Sequence, residues 1–588
     1  MVKVIVDGHT VEVPAGSTAL EAAAIAGVHI PTLCYLKDVS QTGSCRVCLV
    51  EINGRIQASC VFPVAEGMEI KTNTPVVREA RRVNVELLLS NHPQECLTCL
   101  RNQNCELQEL AKDLGIRDIR FQGERYREPI DTSSPSIIRD PNKCILCRRC
   151  VSVCSDIQGV HVLSVRERGF ETVVSPAWQM QLAHTACTNC GQCVNVCPVG
   201  ALTEKDDTQK VWDYLAHPDY HVVVQTAPAV RVSLGEEFGL SPGTIVTGKM
   251  VAALRRLGFD AVFDTDFTAD LTILEEANEL LHRLQNGGAL PLFTSCSPGW
   301  VKFLEHQYPE LLPNLSTCKS PQQMFGALAK TYYAQKMGLD PARIITVSVM
   351  PCTAKKFEAT RPEMNSSGYQ DVDVVLTVRE LGRMIKEAGI AFVDLDDEEF
   401  DAPFGITTGA GVIFGATGGV MEAALRTAYE VVTGETLENL DFTEVRGLEG
   451  IKEGAISLGD TTLKVAVAHG LGNARQLMDR VAAGEVEYHF IEIMACPGGC
   501  IGGGGQPLLT TMEVRQQRMK GIYEADRGMP LRKSHENPEV KTLYEEFLGQ
   551  PLGEKSHQLL HTSYAPRFKH GAGYELQRAE EEDVAASS

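Results

Sequence analysis

Glu492–Pro507 reads EIMACPGGCIGGGGQP, and the reading of this stretch decides what fold the chain must build. Cys496 and Cys500 flank a Pro-Gly-Gly turn, and four consecutive glycines, Gly502 to Gly505, follow. Glycine takes positive φ without steric cost and lets backbone come close to a bulky group. Thiolates are soft donors that suit iron–sulfur clusters. Taken alone, such a CxxxC serves equally well as a buried turn with structural thiols. The apolar run before it, HFIEIMA (489–495), reads as a buried strand. The cysteines therefore stand just past a strand end, where α/β sheets place their ligands.

The same pattern recurs outward from this point. HVVVQTA (221–227), RIITVSVM (343–350), DVDVVLTV (371–378) and LKVAVAHG (463–470) read as further buried strands, separated by amphipathic helices such as TGKMVAALRRLG (247–258) and TVRELGRMIKEAG (377–389). Two more cysteine segments fall among them: FTSCSPGW, Phe293 to Trp300, and MPCTAKKFE, Met350 to Glu358. An α/β domain over 215–530 is expected.

The three cysteine segments together resemble the active-site signatures of the iron-only, [FeFe]-type hydrogenases: TSCCPxW, MPCxxKxxE and ExMxCxxGCxxGGGxP. The second and third match at every specified position, and the first departs at Ser297. The resemblance implies reversible H2 oxidation and proton reduction at an H-cluster. That cofactor is a [4Fe–4S] cubane bridged by a cysteine to a two-iron subsite with CO, cyanide and a dithiolate. Carried over by motif, Cys352, Cys496 and Cys500 are ligands, with Cys500 the bridge. Lys355 sets an ammonium beside a cyanide, and Met494, Met350, Pro228 and Gln322 contact the cofactor. Linear register puts the remaining ligand slot on Ser297. An alkoxide is a poorer iron ligand than a thiolate, so Cys296 is expected to ligate with Ser297 beside it. Glu276, Glu279 and Ser316 sit at the offsets of a proton relay; without the resemblance, EEANE would read as exposed helix charges, and Lys355, like Lys356, as a surface lysine. Ala229 stands where some members carry a serine near cyanide.

Residues 1–78 open with alternating valines around Asp7-Gly8, a hairpin, followed by a helix over ALEAAAIAG with Ser17 as N-cap. Cys34, Cys45, Cys48 and Cys60 form C-x10-C-x2-C-x11-C. A β-grasp domain holding a [2Fe–2S] centre is expected, similar to the module of respiratory NADH dehydrogenase and of long hydrogenases. In 79–120 a helical stretch, VREARRVNVELLLSNHP, leads to His92, Cys96, Cys99 and Cys105. Their spacing fits a structural Cys3His zinc site as well as a cluster; position beside the preceding module favours a [4Fe–4S]. Residues 137–205 carry two C-x2-C-x2-C-x3-C runs, Cys144, Cys147, Cys150, Cys154 and Cys187, Cys190, Cys193, Cys197. In two-cluster ferredoxins the fourth cysteine of each run serves the other cluster. One [4Fe–4S] is therefore expected on Cys144, Cys147, Cys150 and Cys197, the other on Cys154, Cys187, Cys190 and Cys193. With the H-cluster, the expected inventory is one [2Fe–2S] and three accessory [4Fe–4S]. Cys318 is left over as an inert thiol.

The fold class is thus multidomain α+β and α/β, with 531–588 supplying C-terminal helices and a disordered tail, AEEEDVAASS. The twenty cysteines of the 588 residues come in tight CxxC-type groups, and without an export signal they read as cluster ligands in a cytoplasmic protein rather than disulfides. The formal charge of −21 speaks against nucleic acid and anionic membranes, and no apolar run is long enough to span a bilayer. No nucleotide-binding GxGxxG is evident, so NAD(P) chemistry is assigned to partner chains. The expected partners are NAD(P)-linked flavin and iron–sulfur subunits of a hetero-oligomer, including electron-bifurcating ones, or ferredoxin. A monomeric ferredoxin-dependent hydrogenase is the alternative. A hydrogenase-like assembly factor without the two-iron subsite is the other class, and the intact MPCxxKxxE and GGG segments argue against it.

Overall fold

The computed structural model describes residues 1–125, 127–458 and 461–567; the expected tail lies outside them. The chain forms two compact units: Met1–Ile157 with His161–Thr185 and Val196–Thr203, and Gln158–Val160 with Ala186–Asn195 and Glu204 onward.

In the first unit a five-stranded sheet runs in the order His9–Val13, Val2–Val6, Glu69–Lys71, Leu49–Ile52, Arg55–Ala58. Val6 pairs with His9 across a turn in which Asp7 and Gly8 both take positive φ, as a two-residue hairpin requires. The helix Ala19–Ile25 lies on this sheet, its Ala19, Ala22 and Ala23 buried with Val4, Val6 and Val13. Its N-cap is Thr18, not Ser17: the Thr18 hydroxyl accepts from Glu21 N and Glu21 accepts from Thr18 N, a closed capping box that Ser17 could not make. Helix Pro75–Asn91 follows, anchored by buried Arg81 donating to Leu49 O at 2.6 Å. After the run containing Cys144, Ser164–Arg166 pairs antiparallel with Val173–Ser175.

The second unit contains two four-stranded sheets. The first, all parallel, orders Ala261–Asp264, His221–Thr226, Ile344–Met350, Val374–Thr377. The second orders Leu292–Phe293, Phe490–Met494, Thr461–His469, Ile451–Leu458, with only the last pair antiparallel. Strands buried on both faces explain the continuous valine and isoleucine runs, with no alternation to read. The helix Thr265–Asn286 is buried along most of its length. Its start is fixed by Arg231, which donates to Asp264 at 2.8 and 2.9 Å and pairs with Asp266 at 2.8 Å. The C-terminal helices Pro538–Leu543 and Glu554–Leu560 pack on this unit's core. Among the described residues no helix is long and apolar enough to cross a membrane.

Candidate active site

Each signature segment begins where a strand ends. Cys296 follows Leu292–Phe293, Cys352 follows Ile344–Met350, and Cys496 follows Phe490–Met494. All converge on one cavity lined by Cys296, Ser297, Cys352, Cys496 and Cys500, with Lys355, Met350, Met494, Pro228 and Gln322. Every residue expected to touch the cofactor is therefore on its wall. Ala229 is not on that wall; it is fully buried in the core beside Ile522 and Met494.

The glycine run is required by packing. A Cβ on Gly503 would lie 1.9 Å from Pro351 O, and one on Gly504 would lie 2.2 Å from Cys190 O. The loop carrying Cys500 is thus wedged between the Cys352 loop and the Cys190 loop. Further bonds lock it there: Gln192 donates to Gly502 O at 2.8 Å, Asn195 to Gly503 O at 2.9 Å, and Thr353 to Asn189 O at 2.7 Å. The Cys496 sulfur lies 3.9 Å from Cys190 O, so this accessory run abuts the cavity directly.

The donor set fits an iron–sulfur cluster: four cysteines line the one cavity, and thiolates are the soft donors such clusters take. Burial raises the thiols of Cys296, Cys352 and Cys496, and that of Cys500 to about 12, so thiolates here need bound metal cations to offset their charge. Lys355 supplies one fixed positive charge, held by Glu358 at 2.9 Å and donating to Cys296 O at 3.2 Å. Gln322 also donates to Glu358, at 3.1 Å, while its buried Oε1 has no partner; such an orphan beside the cavity suits a bound polar group.

The expected relay is buried, not exposed. Glu276 is 2% and Glu279 7% accessible. Burial and the neighbouring Glu279 push Glu276 up to about 8, so it carries a proton at neutral pH. Ser316 Oγ donates to Glu279 at 2.8 Å and Arg283 donates to it at 2.6 Å. The Cys296 thiol is raised first by burial and then by the charge of Glu276. Ser297 Oγ accepts from Ala495 N at 3.2 Å, beside Cys496.

One expectation is corrected. Lys356 is no surface lysine: it is 4% accessible and donates to Asp207 at 2.7 Å and Glu380 at 2.9 Å. Cys318 is fully buried, its sulfur 3.9 Å from Glu279 Oε2. Glu492 was quoted above without a task; fully buried, it accepts from Gly418 N at 2.6 Å and Met421 N at 2.7 Å, at the start of helix Gly419–Thr433. Its place as the first letter of ExMxC was the signal.

In the first unit Cys34, Cys45, Cys48 and Cys60 are all buried together. His92, Cys96, Cys99 and Cys105 line one small cavity. Cys144, Cys147, Cys150 and Cys197 line another, which sets Cys197 with the first run rather than its own.

A strand-end cavity gathering thiols and a lysine has the chemistry of a metallocluster oxidoreductase, and comparison with known proteins makes the class definite. Residues 220–504 match the family described as iron only hydrogenase large subunit, C-terminal domain, and 512–567 match iron hydrogenase small subunit. Residues 1–75 match a 2Fe-2S iron-sulfur cluster binding domain, 81–120 the NADH-ubiquinone oxidoreductase-G iron-sulfur binding region, and 134–203 the ferredoxin-like domain of NADH-quinone oxidoreductase subunit 3. The chain belongs to the [FeFe] hydrogenases and is an oxidoreductase acting on H2. It is 55% identical over 584 residues to the NADP-reducing hydrogenase subunit HndD of Solidesulfovibrio fructosivorans, covering 96% of this chain and 99% of that one. It is 42% identical over 572 residues to iron hydrogenase 1 of Clostridium pasteurianum, covering 96% and 100%. A solved variant of [FeFe]-hydrogenase HydA1 from Chlamydomonas reinhardtii superposes with a TM-score of 0.55 at 47% identity, covering 62% of this chain and 99% of that chain.

Proposed function

We propose that this chain is the H2-activating subunit of a multisubunit NADP-linked hydrogenase, with electrons passing through its accessory clusters to a flavin-bearing partner or to ferredoxin. The observation that carries the site reading is the single cavity shared by the three signature segments and lined by Cys296, Cys352, Cys496, Cys500 and Lys355. The H-cluster, when bound, supplies the redox chemistry of H2. Cys352, Cys496 and Cys500 hold it, Lys355 presents a charge-assisted donor to its anionic ligands, and Met350, Met494, Pro228 and Gln322 shape the walls. Glu276, Ser316 and Glu279 move protons between the cavity and the Arg283 end of the helix. The similarity to an NADP-reducing hydrogenase subunit and to NADH dehydrogenase modules supports the partner reading.

The cofactor inventory is one [2Fe–2S], three accessory [4Fe–4S] and the H-cluster. The His92 site is its most exposed claim, because Cys3His also suits zinc. His92, Cys96, Cys99 and Cys105 line one cavity within a stretch that matches the NADH-ubiquinone oxidoreductase-G iron-sulfur binding region, which supports a cluster. Iron quantification with electron paramagnetic resonance on anaerobic protein is expected to find iron there; stoichiometric zinc removed only by His92→Ala would sink this part.

The Cys296/Ser297 pair has a second reading, favoured by one observation: the Ser297 hydroxyl accepts from Ala495 N, the residue just before Cys496. Under it, Cys296 hands protons to Glu276 and the Ser297 oxygen takes the fourth cubane position, the reverse of the order expected from ligand softness. We expect Cys296→Ala to keep the cubane signal and lose turnover by roughly 100-fold or more, and Ser297→Ala to perturb the signal itself. Loss of the cubane in Cys296→Ala would return the ligand to Cys296.

A further inference from the structure

We propose that His561 and His557 form a second proton branch that reaches Glu279 from the C-terminal segment, separate from the Arg283 end. This deepens the relay reading above and rests on Glu279 being its carrier. Three observations point to it. A Glu279 oxygen, the Cys318 sulfur and a His561 ring nitrogen all lie within 4.8 Å of one another, and all three residues are buried. His561 is fixed in that place: its backbone bridges Cys318, Lys319 N donates to Leu560 O at 2.7 Å, and Thr562 N donates to Thr317 O at 2.8 Å. Finally, the exposed His557 ring lies 4.2 Å from the His561 ring, centroid to centroid, one helical turn earlier.

The groups around His561 suit a carrier. Its Nε2 faces Glu275 at 3.1 Å, and its Nδ1 shares a hydrogen bond with the Thr317 hydroxyl at 2.8 Å. Burial opposes ionisation of Glu275, but hydrogen bonds from His561, Ser556 and Tyr544 outweigh it and hold the carboxylate below its usual range. A positioned carboxylate stabilises an imidazolium. The titratable groups facing His561 are therefore Glu275 and Glu279 from the long helix, Cys318 from the loop after Ser316, and Tyr544 and His557 from the C-terminal helices. Between imidazole and Glu279 stand two exchangeable groups, the Thr317 hydroxyl bonded to His561 Nδ1 and the Cys318 thiol 3.9 Å from Glu279. In the direction of proton reduction, buffer protonates His557, His557 protonates His561, and His561 protonates the Glu279 carboxylate. Both rings end neutral and no electron moves.

A histidine branch delivers protons best in acid, where imidazole takes up a proton, and burial followed by the neighbouring His561 holds His557 below the ordinary histidine value. Viologen-driven H2 evolution by the full holo chain should therefore fall roughly twofold or more at pH 6 in His557→Gln and in His561→Gln. At pH 8.5 both should match the unsubstituted chain, with the infrared bands of CO and cyanide unmoved throughout. Profiles that superpose on the unsubstituted chain overturn the branch, and so does a loss equal at every pH, which marks a structural role. If His561→Gln shifts the infrared bands, the exposed His557→Gln alone decides. Glu279→Gln separates the two readings: if it stays active the relay itself falls, whereas an inactive Glu279→Gln beside unaffected histidine variants removes only the branch.

Discussion

Glu279→Gln is expected to abolish most turnover while leaving the infrared bands of bound CO and cyanide where they are. Glutamine keeps the size of the side chain and can still accept from Ser316 Oγ and Thr317 N, which hold Glu279 at 2.8 and 3.1 Å. What it cannot do is take up and release a proton. It also leaves Arg283, which is 11% accessible, without its i−4 carboxylate, so a modest loss of stability accompanies the loss of rate. General acid–base groups contribute about 100- to 10,000-fold, and a carrier with no bypass of equal speed should cost within that range. The cavity's thiols and Lys355 are untouched by the change, so cofactor binding is preserved. Turnover near that of the unsubstituted chain would show that Glu279 is ordinary helix charge that happens to be buried.

The second large effect concerns the electron donor. The isolated chain should evolve H2 from reduced viologen and fail to do so from NADH or NADPH. Adding back a flavin-bearing subunit should restore nucleotide coupling. The physical reason is that hydride from a nicotinamide carries two electrons together, whereas iron–sulfur clusters take them singly. A flavin must split the pair, and the sequence shows no dinucleotide fingerprint to bind one. NADPH-driven H2 evolution by this chain with no other protein present would refute the reading.

Much of this was legible before any coordinates, for a stated reason. Cluster ligands are constrained by short-range spacing, and the strands that deliver Cys352 and Cys496 are continuous apolar runs, so both signals survive in one dimension. Lys356 was misread because its compensating charges, Asp207 and Glu380, come from 149 and 24 residues away. The task of Glu492 was hidden likewise, since its partners are the backbone N–H groups of Gly418 and Met421, 74 and 71 residues earlier. The N-cap missed by one residue because Ser17 and Thr18 are both good caps, and only the reciprocal bond with Glu21 chooses between them. Division of the strands into two sheets was not readable either, because a two-residue strand such as Leu292–Phe293 gives no periodicity.

The stretch matched by the iron hydrogenase small subunit model, 512–567, clasps the second unit at several buried points. Arg518 donates to Glu236 at 2.7 Å, Asp526 holds Arg426 at 3.0 Å, and Arg567 reaches Glu305 at 2.6 Å. Here that stretch belongs to the same polypeptide as the cavity it supports. Its docking is therefore unimolecular, at an effective concentration set by a short tether and not by how much of a second chain the cell makes. Dilution cannot strip it away, and stoichiometry cannot fail. A single proteolytic nick between Pro507 and Met512 would convert the chain into a two-piece assembly whose integrity depends on concentration for the first time.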